Sequence, residues 1–345
     1  MIKIQENIDL SKYNTFRTGG NARFFCIIKT EDELIEAIKF SKKNKLKFII
    51  IGNGSNLLLD DKNFNGLIIK NFIKGIKIEK KNKKTTIVSS YSGEDFDDLI
   101  LFMKDSGLSG LENLWNIPGT VGASIVQNIG AYGVEVKDFI FSVEGINVKK
   151  NKKFNFKKEK CNFKYRESIF KKNKNLIITK VFFKLNNFFY PNFNYISLKE
   201  YFSNLSARTN KKDFNISEVM KVIERIRKDK LPDWKVLGTA GSFFKNPIIK
   251  ESKYIDLLEK YPDLPRYNAE SGFVKIPLGF VIDKICKLKG IRSGQVGLYE
   301  KQSLVIVNYG GAKFSEINSF AKEIEKKVFE KIKIKIEREV ENIFL

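Results

Sequence analysis

The chain has 345 residues, 42% hydrophobic and 30% charged, and no histidine. That describes a globular protein of roughly two or three domains, and it excludes serine–histidine and cysteine–histidine catalysis and histidine-ligated metal sites. The formal charge of +23 invites nucleic acid. The lysines, however, lie scattered through KKNK, KIEKKNKK, NVKKNKK and IFKKNKN, asparagine-rich stretches that read as solvated loops and compositional bias, while an anionic small substrate would profit from the field.

From the N-terminus, MIKIQENIDLSKYNTF lacks a basic-then-apolar leader, and no run reaches membrane-spanning length, so a cytoplasmic protein is expected. Thr30 is placed to cap a helix over EDELIEAIKFSKKN, with Leu34, Ile35 and Ile38 as its buried stripe and Phe40 at the margin. Lys47 to Ile51 reads as a buried strand entering GNGSN; GLIIKN and TTIVSSY read as further strands. A helix is predicted over Glu94 to Asp105, closed by Gly107. Gly107 to Gly133 is glycine-dense and irregular, and strands follow at FIFSVEGINV and LIITKVFFKL. The polar, aromatic segment from Asn186 to Asn210 reads as a linker or mobile loop.

The last third changes character. ISEVMKVIERIRKDKLPD is an amphipathic helix stopped before Pro232, with Ile216, Val219, Val222, Ile223 and Ile226 inward. IPLGFVIDKICKLKG reads as a second helix ending at Gly290, and SEINSFAKEIEKKVFEKI as a third with Ser315 and Glu316 at its start. In KIKIKIEREV, Ile332, Ile334 and Ile336 alternate with charges as a half-buried strand. Cys26, Cys161 and Cys286 are odd in number and far apart, which argues against a disulfide framework or a cysteine–zinc site. No metal is expected.

Four segments carry candidate chemistry. GTAGSFFKNP, Gly238 to Pro247, sets the Ser242 hydroxyl between small residues and two aromatics. Without a basic partner, that serine suits a proton donor or hydrogen-bond group better than a nucleophile; a plain glycine-rich turn is the equal alternative. GNGSN, Gly52 to Asn56, is alone an ordinary strand-end turn. A second glycine-rich stretch, IPGTVGAS through QNIGAYG, raises the prospect of a large flat cofactor lying against backbone. Arg166 in KYRES suits either a carboxylate clamp or a surface ion pair. Glu337 and Glu339 in EREV share the face of Lys333 and Lys335, which by alternation alone makes them solvated.

Taken in order, YNTFRTGG, IGNGSN, GLENLWNIPGTVGAS, QNIGAYG, YRESIF, RKDKLPD, GTAGSFFKNP, LKG and EREV resemble the UDP-N-acetylenolpyruvoylglucosamine reductase family, also called UDP-N-acetylmuramate dehydrogenases, over nearly the whole chain. The resemblance implies an α+β fold: a two-subdomain FAD-binding module of the p-cresol methylhydroxylase / vanillyl-alcohol oxidase type (residues 1–72 and 73–207) and an α+β substrate-binding domain (208–345). It implies reduction of the enolpyruvyl ether of UDP-N-acetylglucosamine-enolpyruvate to UDP-N-acetylmuramate for peptidoglycan precursor synthesis, with non-covalent FAD, NADPH as co-substrate, and a monomer without nucleic-acid or membrane partners.

Carried over by motif, the resemblance makes Ser242 the proton donor, Arg166 the carboxylate clamp and Glu339 the catalytic glutamate. Lys230, Asn246 and Lys289 match groups that meet the UDP phosphates, and Tyr132, Tyr195, Tyr267 and Gln302 match further substrate contacts. Gly52, Asn53, Gly54, Ser55, Asn56, Pro118, Gly119, Gly122, Ser124, Gln127, Asn128 and Gly130 match the FAD-embracing segments, with Arg227 as a helper. Ile125 and Arg338 stand where relatives often carry proline. Two rivals differ from this reading: a flavin oxidase of the same fold, whose common histidine tether this chain cannot form, and a basic nucleic-acid-binding protein, supported only by charge.

Overall fold

The computed structural model describes residues 2–343, which divide into two compact units. The first holds residues up to 5, 24–53 and 66–227; the second holds 6–23, 54–65 and those from 228 on.

In the first unit the Thr30 hydroxyl accepts the Glu33 N–H at 3.1 Å and starts the helix Glu31–Lys43, satisfying one of the amides a helix start leaves open. Leu34, Ala37 and Ile38 are buried against Leu67, Ile69, Cys26 and Ile28, while Ile35 and Phe40 are only partly buried. Beneath them, Phe48–Ile51 runs parallel to Phe64–Asn71. A five-stranded antiparallel sheet follows, in the order Lys152–Lys157, Ile140–Asn147, Leu176–Asn186, Thr85–Tyr91, Ile76–Lys81. The helices Phe96–Asp105 and Val121–Gln127 bury Phe96, Leu99, Ile100, Met103, Val121 and Ile125 in one core with Val143, Val181 and Phe183. Gly107, at φ +69°, supplies the left-handed turn after the first of these helices.

The segment from Asn186 to Asn210 corrects the expectation of a linker or mobile loop. Ile196–Thr209 is a helix, and Leu198 and Phe202 are buried with Phe214, Val219, Val222 and Ile223. The Phe202 ring stacks on Phe193 at 4.1 Å and lies 4.7 Å from Phe214. Leu198, Phe202 and Leu205 form a stripe one side chain wide, too narrow to register as periodicity among so many polar neighbours.

In the second unit the helix Phe314–Ile332 buries Ile317, Phe320, Ala321, Ile324 and Val328 in a core with Val296, Leu298 and Ile306. The sheet it accompanies has the order Gly238–Ser242, Gln302–Asn308, Val296–Tyr299, Arg292–Ser293. The expected helix over IPLGFVIDKICKLKG is shorter than its pattern suggested. One α-turn, Leu278–Phe280, passes into a π-turn, Val281–Ile285, and Lys287 at φ +56° ends the winding. KIKIKIEREV also differs. Lys333 is left-handed, and between it and Val340 the ladder is a single bridge, Phe244 with Arg338. Burial still alternates, with Lys333, Lys335 and Glu337 exposed and Ile334 and Ile336 partly covered. The strand proper comes later, Glu341–Ile343, parallel to Leu57–Leu59.

All three cysteines are free, and burial pushes the Cys26 and Cys161 thiols up to about 12, so neither presents a reactive thiolate near neutrality. Among the described residues no helix is long and apolar enough to cross a membrane.

Phe202→Ala should loosen the Ile196–Thr209 helix by emptying its buried aromatic anchor, at a local cost of about 3 kcal/mol. Limited proteolysis should then cut within residues 186–210 much faster than in the parent, with the remaining fragments equally protected. Unchanged cleavage would show that this helix is held by something else.

Candidate active site

Within the first unit, the two glycine-rich stretches meet. A Cβ on Gly52 would lie 2.5 Å from Thr120 Oγ1 and 3.4 Å from Ala123 Cβ, and one on Gly122 would lie 2.7 Å from Ser92 Cβ. Only glycine permits that approach. Thr120 caps the helix Val121–Gln127 through its hydroxyl. The Lys70 ammonium donates to the Gly52 carbonyl at 2.7 Å and to Asn53 Oδ1 at 2.8 Å, and Asn53 in turn donates to Asp95 at 2.6 Å. Burial lowers the Lys70 pKa to about 8. Lys70 and Asp95 thus fix the turn, and neither stands out in sequence, because their partners are backbone and amide groups far along the chain.

Further along the second stretch, the Ser124 hydroxyl donates to the Val121 carbonyl at 2.7 Å. Asn128, fully buried, donates to Glu135 and the Lys164 carbonyl and accepts the Lys137 N–H. Both side chains are engaged in scaffold bonds. Arg166, itself left-handed at φ +56°, donates to the Gly130 carbonyl at 2.7 Å and stacks over Tyr165 at 5.1 Å. A Cβ on Gly130 would lie 3.1 Å from Arg166 Nη1, so the glycine admits the guanidinium. Two residues on, the Tyr132 ring meets Tyr195 edge-on at 5.4 Å. Asn113 ties both segments, donating to the Tyr132 and Asn192 carbonyls. Arg227 donates to the Asn116 carbonyl at 3.0 Å and interacts with Tyr132 and Asp97; burial raises Asp97 to about 6. Arg166, Tyr132, Tyr195 and Arg227 are thereby linked through QNIGAYG.

In the second unit, Ser242 closes the strand Gly238–Ser242, whose pairing with Gln302–Asn308 slips between Thr239 and Ser242. Gly241 occupies the slip at φ +72°, and its N–H donates to Thr239 Oγ1 at 3.2 Å. Such a bulge re-aims the following side chain, here Ser242, which is half-buried. Phe243 and Phe244 fall into the core on its C-terminal side. The Glu339 N–H donates to the Phe243 carbonyl at 2.8 Å, which brings Glu339 alongside the residue next to Ser242. Asn56 Nδ2 donates to the Glu339 carbonyl at 3.1 Å. Two residues earlier, Glu337 is 75% exposed and pairs with Lys245 at 3.0 Å. The two acids that strict alternation treats alike therefore have different surroundings.

Asn246 Oδ1 accepts the Leu278 N–H at 2.9 Å, and Gln302 Oε1 would lie 3.3 Å from a Cβ on Gly279, so both amides converge on one turn. Lys289 reaches Asp283 at 3.5 Å. Tyr267 opens a two-residue strand opposite Lys275, and Lys230 ends the helix Ile216–Lys230 on the surface.

Residues 232–343 match the family described as UDP-N-acetylenolpyruvoylglucosamine reductase, C-terminal domain, and residues 22–149 match a FAD binding domain. The UDP-N-acetylenolpyruvoylglucosamine reductase of Flavobacterium johnsoniae is 40% identical over 344 residues, 98% of this chain and 99% of that one. The enzyme of the same name from Neisseria gonorrhoeae is 38% identical over 341 residues, 98% and 97% of the two chains. The crystal structure of the Thermus caldophilus reductase superposes with a TM-score of 0.70 across 99% of each chain at 23% identity, a likeness of fold. The chain belongs to the UDP-N-acetylenolpyruvoylglucosamine reductase family, FAD-binding oxidoreductases of peptidoglycan precursor synthesis.

Proposed function

We propose that this chain uses NADPH to reduce the enolpyruvyl ether of UDP-N-acetylglucosamine-enolpyruvate to UDP-N-acetylmuramate, as a cytoplasmic monomer. The observation that carries the reading is the Glu339 N–H bonded to the Phe243 carbonyl, next to Ser242 at the end of a bulged strand, in a family whose named members are reductases of that substrate type.

The residues present fit FAD. Gly52 and Gly122 bare their backbone at two segments packed together, and the Lys70 cation sits at the turn where a pyrophosphate would need it. Gly52, Asn53, Gly54, Ser55, Asn56, Pro118, Gly119, Gly122, Ser124, Gln127, Asn128 and Gly130 would line the cofactor, the side chains of Asn56, Ser124 and Asn128 by bracing the loops rather than by direct contact. Arg227 would support them. Bound there, FAD would supply the hydride-transfer chemistry between NADPH and C3 of the enolpyruvyl group.

The chain's own groups do the rest. Arg166 opposes the negative charge that develops on the substrate carboxylate, its guanidinium already oriented by the Gly130 carbonyl. Ser242 delivers a proton to C2; a hydroxyl is a weak acid, but an enolate-like carbon is a far stronger base. Glu339 stabilises the enol form of that carboxylate. Lys230, Asn246 and Lys289 take the UDP phosphates, and Tyr132, Tyr195, Tyr267 and Gln302 shape the remainder of the substrate site.

Three measurements test this. Ser242→Ala should keep its FAD and still be bleached by NADPH, while substrate-dependent recovery of the flavin absorbance slows on the order of a hundredfold or more; recovery at the parent rate would remove Ser242 from the proton step. Glu339→Gln should slow the same recovery with little change in UDP-substrate affinity, whereas Glu337→Gln, already solvated, should stay close to the parent. Equal and small effects would return both acids to the surface.

The third measurement concerns Lys70. Its pKa of about 8 lies below the ordinary lysine value, so the ammonium is present below that pH and lost as pH rises through it. FAD affinity of the apoprotein, followed by flavin fluorescence, should therefore fall above about pH 8. Lys70→Met should bind FAD weakly at pH 7 and lack that step. A parental pH profile in the variant would place the titrating group elsewhere.

A further inference from the structure

Glu339 lies on a segment with little regular support. The chain leaves the helix Phe314–Ile332 through left-handed Lys333, and before Glu341 its ladder contact is the Phe244–Arg338 bridge. The two main-chain bonds flanking that bridge run from Lys245 N–H to the Glu337 carbonyl and from Glu339 N–H to the Phe243 carbonyl, each 2.8 Å. This is the non-hydrogen-bonded type of antiparallel pair, in which the opposed residues exchange no main-chain bonds. Arg338 is held by its side chain instead.

That side chain is well anchored. Nε donates to Glu325 Oε1 at 2.6 Å and Nη1 to Asn318 Oδ1 at 2.7 Å. The two acceptors stand seven residues apart on one helix, two turns on the same face. The guanidinium also lies 5.6 Å from the centre of the Phe243 ring, and the side chain is 16% exposed. A planar fork bonded in two directions and stacked on an aromatic fixes its own orientation, which a lysine could not do. Alternation then directs the neighbours on either side, Glu337 and Glu339, to the opposite face.

We propose that Arg338 is a positioning residue: its fork onto Asn318 and Glu325, with its stack on Phe243, sets the direction in which Glu339 presents its carboxylate. The inference rests on the reading of Glu339 as a catalytic group. It explains how an acid at the end of an irregular, lysine-rich segment is held steadily enough to act at one atom, since a displacement near 1 Å costs on the order of a hundredfold in rate.

The test uses FAD-loaded Arg338→Met, which keeps the apolar stem over Phe243 and removes the fork, together with Glu339→Gln and the double variant. Substrate-dependent flavin recovery should slow at least tenfold in Arg338→Met, while FAD content, NADPH bleaching and UDP affinity stay at parental values. In the double variant the rate should equal that of Glu339→Gln alone, because a residue acting through Glu339 has nothing left to position. Asn318→Ala, which removes one arm and leaves the cation in place, should give a smaller loss in the same direction and decides the matter if Arg338→Met fails to fold. A parental rate in the Arg338 and Asn318 variants, or losses that multiply in the double variant, overturns the proposal. A parental rate in Glu339→Gln instead overturns the catalytic reading beneath it.

Discussion

One main-chain hydrogen bond ties the second unit together around Ser242: the Glu339 N–H to the Phe243 carbonyl. It joins two segments nearly a hundred residues apart in sequence, and everything around it restrains those segments. On one side the Gly241 bulge sets the line along which Ser242 leaves its strand. On the other, Asn56 holds the Glu339 carbonyl and accepts the Glu341 N–H through its own main chain. Beneath, Phe243 and Phe244 are sunk in the core against Phe16 and one another, which denies water access from that side. The proton-donor role proposed for Ser242 depends on this kind of preorganisation, because a serine hydroxyl has a high intrinsic pKa and no charge with which to attract its partner.

The first unit meets a different demand. A flavin nucleotide is large, flat and anionic at its centre, and the binding proposed for it would rest on backbone rather than on side chains. Gly52 and Gly122 let the turn and the helix start close on each other, and Lys70 is placed below the turn, where burial costs it part of its proton affinity. The side chains of Asn128 and Asn113 brace loops.

Legibility in the sequence tracked the strength of local signals. The helix after Thr30, the strand at Phe48–Ile51 and the helix closed by Gly107 each carry a cap, a β-branched run or a terminal glycine, and each lies within a residue or two of its expected bounds. Two helical readings failed for opposite reasons. Ile196–Thr209 looked structureless because one narrow stripe buries it, whereas IPLGFVIDKICKLKG looked fully helical because its apolar residues are spaced for a helix, although one α-turn and one π-turn are all that form before left-handed Lys287. The family was legible as a set of ordered motifs. What periodicity could not supply was the inequality of Glu337 and Glu339, since that arises from Lys245 and Asn56, partners remote in the chain. Lys70 and Asp95 were missed for the same reason.

The Phe244–Arg338 pairing has a consequence for how such a chain can change over time. Because position 338 contributes no N–H to the ladder, the residue there is free to lose that N–H altogether without weakening the sheet. A rigid imino acid could stiffen the backbone from within, as a forked cation anchors it from outside. The backbone at this site therefore tolerates two chemically unrelated residues, although only the arginine can make the fork onto Asn318 and Glu325.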